Sequence, residues 1–145
     1  MTIRLATDQD GPAIGKLYRT AEWPDHGVDW TRPGIGGWWI VAETEDGEIV
    51  GAIQAVASAP YGYIGDVVVH PEYRRRHTEN GSALTGRLGS VAFDLLVTAF
   101  VALRKAGSQM VMGAVGKDVD TLRKVYERHG ALNLGEFTVM ARRLS

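Results

Sequence analysis

The sequence predicts an α+β fold. Short β-branched runs and amphipathic helical stretches follow one another along all 145 residues, an Asp-Gly turn joins two of the runs directly, and no linker, repeat or low-complexity segment interrupts them. Thr2 to Ala6 alternates as a first strand. Asp8 or Asp10 caps a helix from Pro12 to about Thr20, with Pro12 in its first turn and Ile14, Leu17 and Tyr18 on one face. Ala21 to Gly37 is irregular, because Trp23-Pro24-Asp25-His26-Gly27-Val28-Asp29-Trp30 and Pro33-Gly34 concentrate turn formers and aromatics, as a loop carrying function does.

Gly37 to Glu43 and Glu48 to Ala57 read as strands joined by a hairpin at Thr44-Glu45-Asp46-Gly47. After Ser58-Ala59-Pro60 comes a third run, Tyr63 to His70, whose valines suit a buried pleated surface and which Pro71 ends because it has no N–H for a ladder. A long helical stretch from Gly81 to Ala106, a strand from Gln109 to Val115, a helix from Asp118 to Arg128 and a strand from Leu134 to Arg143 complete the chain.

Composition narrows the function. The 45% hydrophobic and 23% charged content fits one globular domain spanning residues 1–145. A net charge of −1 argues against broad capture of nucleic acid, so Arg74, Arg75 and Arg76 form a local cluster on a balanced surface. The absence of cysteine removes disulfides, thiolate metal ligands and a Cys nucleophile, and no His pair has metal-ligand spacing. Met1 to Asp8 lacks the apolar core of a signal peptide, no stretch suits a membrane span, and a cytoplasmic protein is expected.

The chemistry concentrates between Tyr63 and Leu84. Here a valine strand opens into Glu72-Tyr73-Arg74-Arg75-Arg76-His77-Thr78-Glu79-Asn80-Gly81-Ser82-Ala83-Leu84, which brings three arginines to a helix N-terminus. Exposed amide N–H groups, the positive end of the helix dipole and flanking guanidiniums suit a multiply charged phosphate ligand.

At these residues the chain resembles the GCN5-related N-acetyltransferase superfamily, whose acetyl-CoA loop carries an Arg/Gln-x-x-Gly-x-Gly/Ala pattern after such a strand. Arg76-His77-Thr78-Glu79-Asn80-Gly81 matches its first and last positions, with Glu79 at the first glycine. A second register places the loop at Thr85-Gly86-Arg87-Leu88-Gly89-Ser90. The order of elements also follows that family over essentially the whole chain. The resemblance implies a three-layer α/β architecture: a mixed, mostly antiparallel sheet of six to seven strands with helices on both faces.

It also implies acetyl-CoA as cosubstrate, with no metal, and direct transfer to a primary amine of a small molecule or a peptide within a ternary complex. Alternatives within the fold are another acyl donor, a nucleobase amine acceptor, or a non-catalytic CoA-binding module. The cofactor residues it implies are Val67, Val68 and Val69 beside the pantetheine, and Arg74, Arg75, Arg76, Asn80, Gly81, Ser82, Gly86, Arg87 and Gly89 around the phosphates. Val125-Tyr126-Glu127-Arg128-His129-Gly130 fits a second family pattern, whose tyrosine is proposed to protonate the departing thiolate, and this assigns Tyr126 as acid.

For the base, strand alternation puts Ile64, Asp66, Val68 and His70 on one face and Tyr63, Gly65, Val67 and Val69 on the other. Asp66, an acid within an apolar strand, is the leading choice because burial raises a carboxyl pKa toward a useful value; a purely structural bond to nearby backbone is the competing reading. Glu43 is second. Trp23, Asp25, Trp30 and Tyr63 are the expected acceptor contacts, aromatic faces and carboxylates being suited to a cationic amine. Finally, Val91 to Leu103 is apolar around more of the helix than one sheet face buries, so either a homodimer forms there or the irregular segment covers it.

Overall fold

The computed structural model describes residues 1–22, 37–74 and 91–113, together with Arg123, Lys124, Glu127, Gly130, Leu134 and Gly135. The chain divides into two compact units, Met1–Ala114 and Val115–Ser145. The first contains, in order, β1 (Thr2–Leu5), α1 (Gly11–Thr20), β2 (Gly37–Glu43), β3 (Ile49–Ser58), β4 (Tyr61–Val69), α2 (Val91–Lys105) and β5 (Met110–Gly113). In the second, Arg123, Lys124 and Glu127 are helical, with Arg123 Nε 3.9 Å from Glu127 Oε1 one turn on. Gly130, at φ 85°, donates its N–H to the Glu127 carbonyl at 3.0 Å, a left-handed stop that suits glycine at a helix C-terminus.

The sheet runs β1-β2-β3-β4-β5, antiparallel through β4 and parallel between β4 and β5. It is therefore mixed, as expected, but five strands are described where six to seven were anticipated. The expected last strand, residues 134–143, falls outside the described residues apart from Leu134 and Gly135, and neither of these is in a strand. Strand β4 starts earlier than the sequence suggested because Ser58 pairs directly with Tyr61, leaving Ala59-Pro60 as a two-residue turn.

Helices cover both faces. On one, Ile14, Leu17 and Tyr18 of α1 pack with Trp39, Val41, Ile49, Ala52 and Val68. On the other, α2 buries Val91, Leu95, Leu96, Ala99 and Leu103. The approach there is close: a Cβ built on Gly51 would lie 2.6 Å from Val91 Cγ1 and 3.0 Å from Leu95 Cδ1. The outward side of α2 carries Val97 and Val101, 41% and 48% exposed. No helix among the described residues is long and apolar enough to cross a membrane.

The entry to α1 is held by ion pairs that the sequence pattern does not reveal. Arg4 on β1 donates to both carboxylate oxygens of Asp10 at 2.8 and 2.9 Å and to Glu43 at 2.7 Å, while Asp10 also accepts from the Thr7 N–H at 2.7 Å. The Arg4 guanidinium and these N–H donors hold the buried Asp10 carboxyl well below the usual carboxylate range. Because the native pKa lies below the unfolded one, the resulting stability is present above the ordinary carboxylate pKa and is lost as pH falls through the native value. Asp10→Asn is expected to cost about 1–2 kcal/mol at neutral pH, Arg4 being partly solvated. It is also expected to flatten the acid limb of stability below about pH 4. Urea melts at several pH values check both; a variant with the wild-type acid limb would show that Asp10 does not carry it.

Candidate active site

Strand β4 positions the chemistry, and a bulge decides how. Ile53 pairs with Val67 and Ala55 with Ile64, so one residue of β3, Gln54, faces two of β4, Gly65 and Asp66. The extra residue reverses the alternation on one side of it. Val67 and Val69, partners of Ile53 and Gly51, share the α2 face with Ile64, whereas Asp66 and Val68 share the α1 face with Tyr63. The simple alternation expected from the sequence, with Asp66 and Ile64 together and Tyr63 opposite, is corrected by this bulge. The consequence is chemical: the candidate base and a candidate acceptor contact lie on one face.

Asp66 is half-buried, and the Tyr18 phenol of α1 lies near enough to its carboxylate for each to act on the other electrostatically. Tyr18 in turn stands edge-on to Trp39 of β2, with ring centroids 5.8 Å apart and planes at 88°. Burial pushes the Asp66 carboxyl above the usual carboxylate range, and the neighbouring Tyr18 phenol acts the other way. Burial, followed by the adjacent carboxylate, pushes the Tyr18 phenol far above its ordinary value, so it stays protonated. The buried Trp39 indole N–H has no hydrogen-bond partner among the described residues. Gln54 lies over Gly65, where a Cβ would meet its Oε1 at 2.9 Å. Tyr63 is exposed.

The backbone of β4 sets a second feature. His70 donates to the Val50 carbonyl at 2.8 Å, so the alternation of antiparallel pairing turns the N–H and C=O groups of Val69 and Val67 away from β3. The parallel pairing to β5 reaches only Ile64 and Gly113 among the described residues, so Asp66 to Val69 continue past its last described pair. Outward-turned amide groups of this kind suit an extended amide-bearing ligand. The Val69 carbonyl, however, is taken by Arg74 Nε at 2.9 Å, while Arg74 Nη2 donates to the Ala21 carbonyl at 3.2 Å. Arg74 thus ties the end of β4 to the end of α1 through two of its nitrogens. The tight turn Pro71–Tyr73, capped by His70 Nδ1 accepting from the Glu72 N–H at 3.3 Å, brings it back to this place.

Glu43, the second candidate base, sits on the Arg4 guanidinium, which holds its carboxyl below the usual range. That makes it a poorer base than Asp66. Tyr126, Arg75, Arg76, Asn80, Gly81, Ser82, Gly86, Arg87 and Gly89, and the acceptor candidates Trp23, Asp25 and Trp30, lie outside the described residues. Tyr18 was visible in the sequence only as part of an apolar stripe. Its hydroxyl on that stripe was the one sign of a polar partner beneath the helix. Among the described residues no group of three His, Cys, Asp or Glu side chains is placed to hold a metal.

A mixed sheet with helices on both faces, a bulged fourth strand carrying a half-buried acid, and backbone groups turned outward beyond the last parallel pair make up this scaffold. The chain belongs to the acetyltransferase (GNAT) family, whose model matches residues 6–78. In sequence alone, no curated protein matches it. In fold it is similar to AAC(6')-Iy in complex with a bisubstrate analogue, at 16% identity and a TM-score of 0.72 over 99% of this chain and 98% of the other. It is also similar to the aminoglycoside 6'-N-acetyltransferase AAC(6')-Ih from Acinetobacter baumannii, at 13% identity and a TM-score of 0.69 over 99% of each chain. A putative acetyltransferase from Agrobacterium tumefaciens is 19% identical, with a TM-score of 0.68 over 99% of this chain and 100% of that one.

Proposed function

We propose that the protein is an acetyl-CoA-dependent N-acetyltransferase acting on a primary amine within a ternary complex. The observation that carries this reading is the placement of Asp66: half-buried, on the Tyr63 face, and just beyond the strand position where the described pairing to β5 stops. In this reading Asp66 accepts the proton that the amine loses as its nitrogen bonds to the thioester carbonyl carbon. The C–S bond then breaks and Tyr126 supplies a proton to the leaving thiolate. Val67 offers its outward N–H and C=O to the pantetheine, and Arg75 and Arg76 face the phosphates. The exposed ring of Tyr63 suits a cationic amine. The aminoglycoside acetyltransferases to which the fold is similar make aminocyclitol-type amines a sensible first panel of acceptors.

Calorimetry with acetyl-CoA, followed by thiol release on that panel and on peptide amines, tests the proposal. Micromolar binding and turnover on at least one amine are expected. No binding at about millimolar acetyl-CoA, far weaker than ordinary substrate affinities, overturns it. Arg75→Ala with Arg76→Ala is expected to weaken binding about tenfold or more through lost charge-assisted contacts. Arg74 is kept intact in this variant because it also anchors Val69 and Ala21. Unchanged affinity, with the loss appearing instead in Arg87→Ala, would assign the later loop register.

A further inference from the structure

Resting on the reading of an amine acceptor beside Asp66, we propose that Gln54 selects that acceptor: its side-chain amide takes a hydroxyl on the carbon next to the one bearing the reacting amine, so the preferred substrates are amino alcohols. Strand β3, at the centre of the sheet, supplies the amide. Apart from the terminal Ser58, Gln54 is the one polar residue of that strand, and it is half-buried while Ile53 and Ala55 on either side are fully buried. A polar group in such a place is costly unless something bonds to it. The Gln54 amide forms no hydrogen bond among the described residues, and the indole N–H of Trp39, its pairing partner on β2, does not take it. Its polar end is left to solvent or to a ligand.

The bulge decides what that amide overlooks. Gln54 faces both Gly65 and Asp66, and its side chain lies flat on the first: a Cβ on Gly65 would be 2.9 Å from Oε1, 3.4 Å from Cβ and 3.7 Å from Cδ of Gln54. Only a glycine leaves room for this. Asp66 is the next residue, its α-carbon about 3.8 Å further along the chain, and it shares the face of Ala52, Gln54 and Tyr63. An amine held at the carboxylate therefore brings its neighbouring carbon within reach of the amide. A neutral amide donates and accepts at once, which fits a hydroxyl better than a second cation or an anion. An alkyl group in the same place strips water from the amide and returns no hydrogen bond, which is how a polar residue on an otherwise apolar strand discriminates.

The test compares ethanolamine with propylamine, which carries a methyl in place of the hydroxyl, as acceptors for acetyl-CoA. The wild type is expected to favour ethanolamine in kcat/KM, and in Gln54→Leu that ratio should fall about tenfold. Both proteins meet the same two amines, so the amines' own basicity cancels in the comparison. A packing role for Gln54 lowers both rates together and leaves the ratio fixed, and that result overturns the proposal while Asp66 and transfer stand. Should Gln54→Leu not fold, Gly65→Ala carries the same comparison, because its methyl displaces Oε1 with Gln54 still in place. Binding separates this proposal from the reading on which it rests. In the wild type the Gln54 side-chain amide signals should shift in NMR spectra as ethanolamine is added and stay still with propylamine. If no amine is acetylated, the transferase reading falls and these signals decide alone: a shift with ethanolamine only keeps Gln54 as the residue that selects a hydroxylated amine, and no shift, or the same shift with both, overturns it.

Discussion

Asp66→Asn is expected to lower kcat/KM for acetyl transfer by about two to three orders of magnitude, the usual effect of deleting a general base. Acetyl-CoA affinity should stay within about twofold, because the carboxylate faces the α1 side while the backbone groups offered to the pantetheine point along the sheet. Asparagine is the informative change. It is nearly isosteric and removes the charge alone, and so leaves the cluster of Tyr18, Trp39 and Val68 packed. A loss confined to turnover, steepest where the acceptor amine is still protonated, identifies a base. If the variant turned over like wild type, Asp66 would be a structural acid and proton removal would fall to water. If it lost stability and activity in parallel, the carboxylate would be holding α1 on the sheet.

How much of this was legible in the sequence depended on the range of the interactions. Strand β2 falls on Gly37–Glu43 as read, and α1 begins one residue before its expected start, since apolar periodicity and capping are local signals. The bulge was not legible. Gly65-Asp66 fits an uninterrupted alternation as well as a broken one, and the register is fixed only by Ile53 and Ala55 on the neighbouring strand. That single residue carries Asp66 onto the face of Tyr63, where simple alternation had placed the two on opposite faces. The Arg4 pair with Glu43 spans 39 positions, and the Arg74 bond to Ala21 spans 53; no local pattern announces either. Arg74 shows the limit most clearly. In a run of three arginines its role looks interchangeable with that of its neighbours, yet the turn after His70 aims it at two carbonyls of its own chain.

Gly51→Ala is expected to destabilise the fold by about 2–3 kcal/mol, the upper part of the range for overpacking a filled core. A methyl group there would lie 2.6 Å from Val91 Cγ1, 3.0 Å from Leu95 Cδ1 and 3.3 Å from the Ala42 Cβ. None of these atoms has room to yield. Val91 is β-branched and stiff at χ1, Leu95 is fully buried, and Ala42 sits on the paired strand directly opposite Gly51. Gly65→Ala provides the contrast, since its nearest contact is the Gln54 Oε1 at 2.9 Å, the far end of a side chain that can rotate. It is expected to cost less than about 1 kcal/mol. Because Val91 Cγ1 makes the tightest contact, Val91→Ala should recover part of the loss in the Gly51→Ala background while destabilising the wild type, a coupling that a double-mutant cycle in urea resolves. Gly51→Ala within about 0.5 kcal/mol of wild type, or simple additivity with Val91→Ala, would mean that α2 does not seat on β3 at this distance. The two readouts separate the halves of the molecule's logic: Gly51 bears on how closely α2 meets the sheet, Asp66 on what the opposite face does with the acid that the bulge delivers to it.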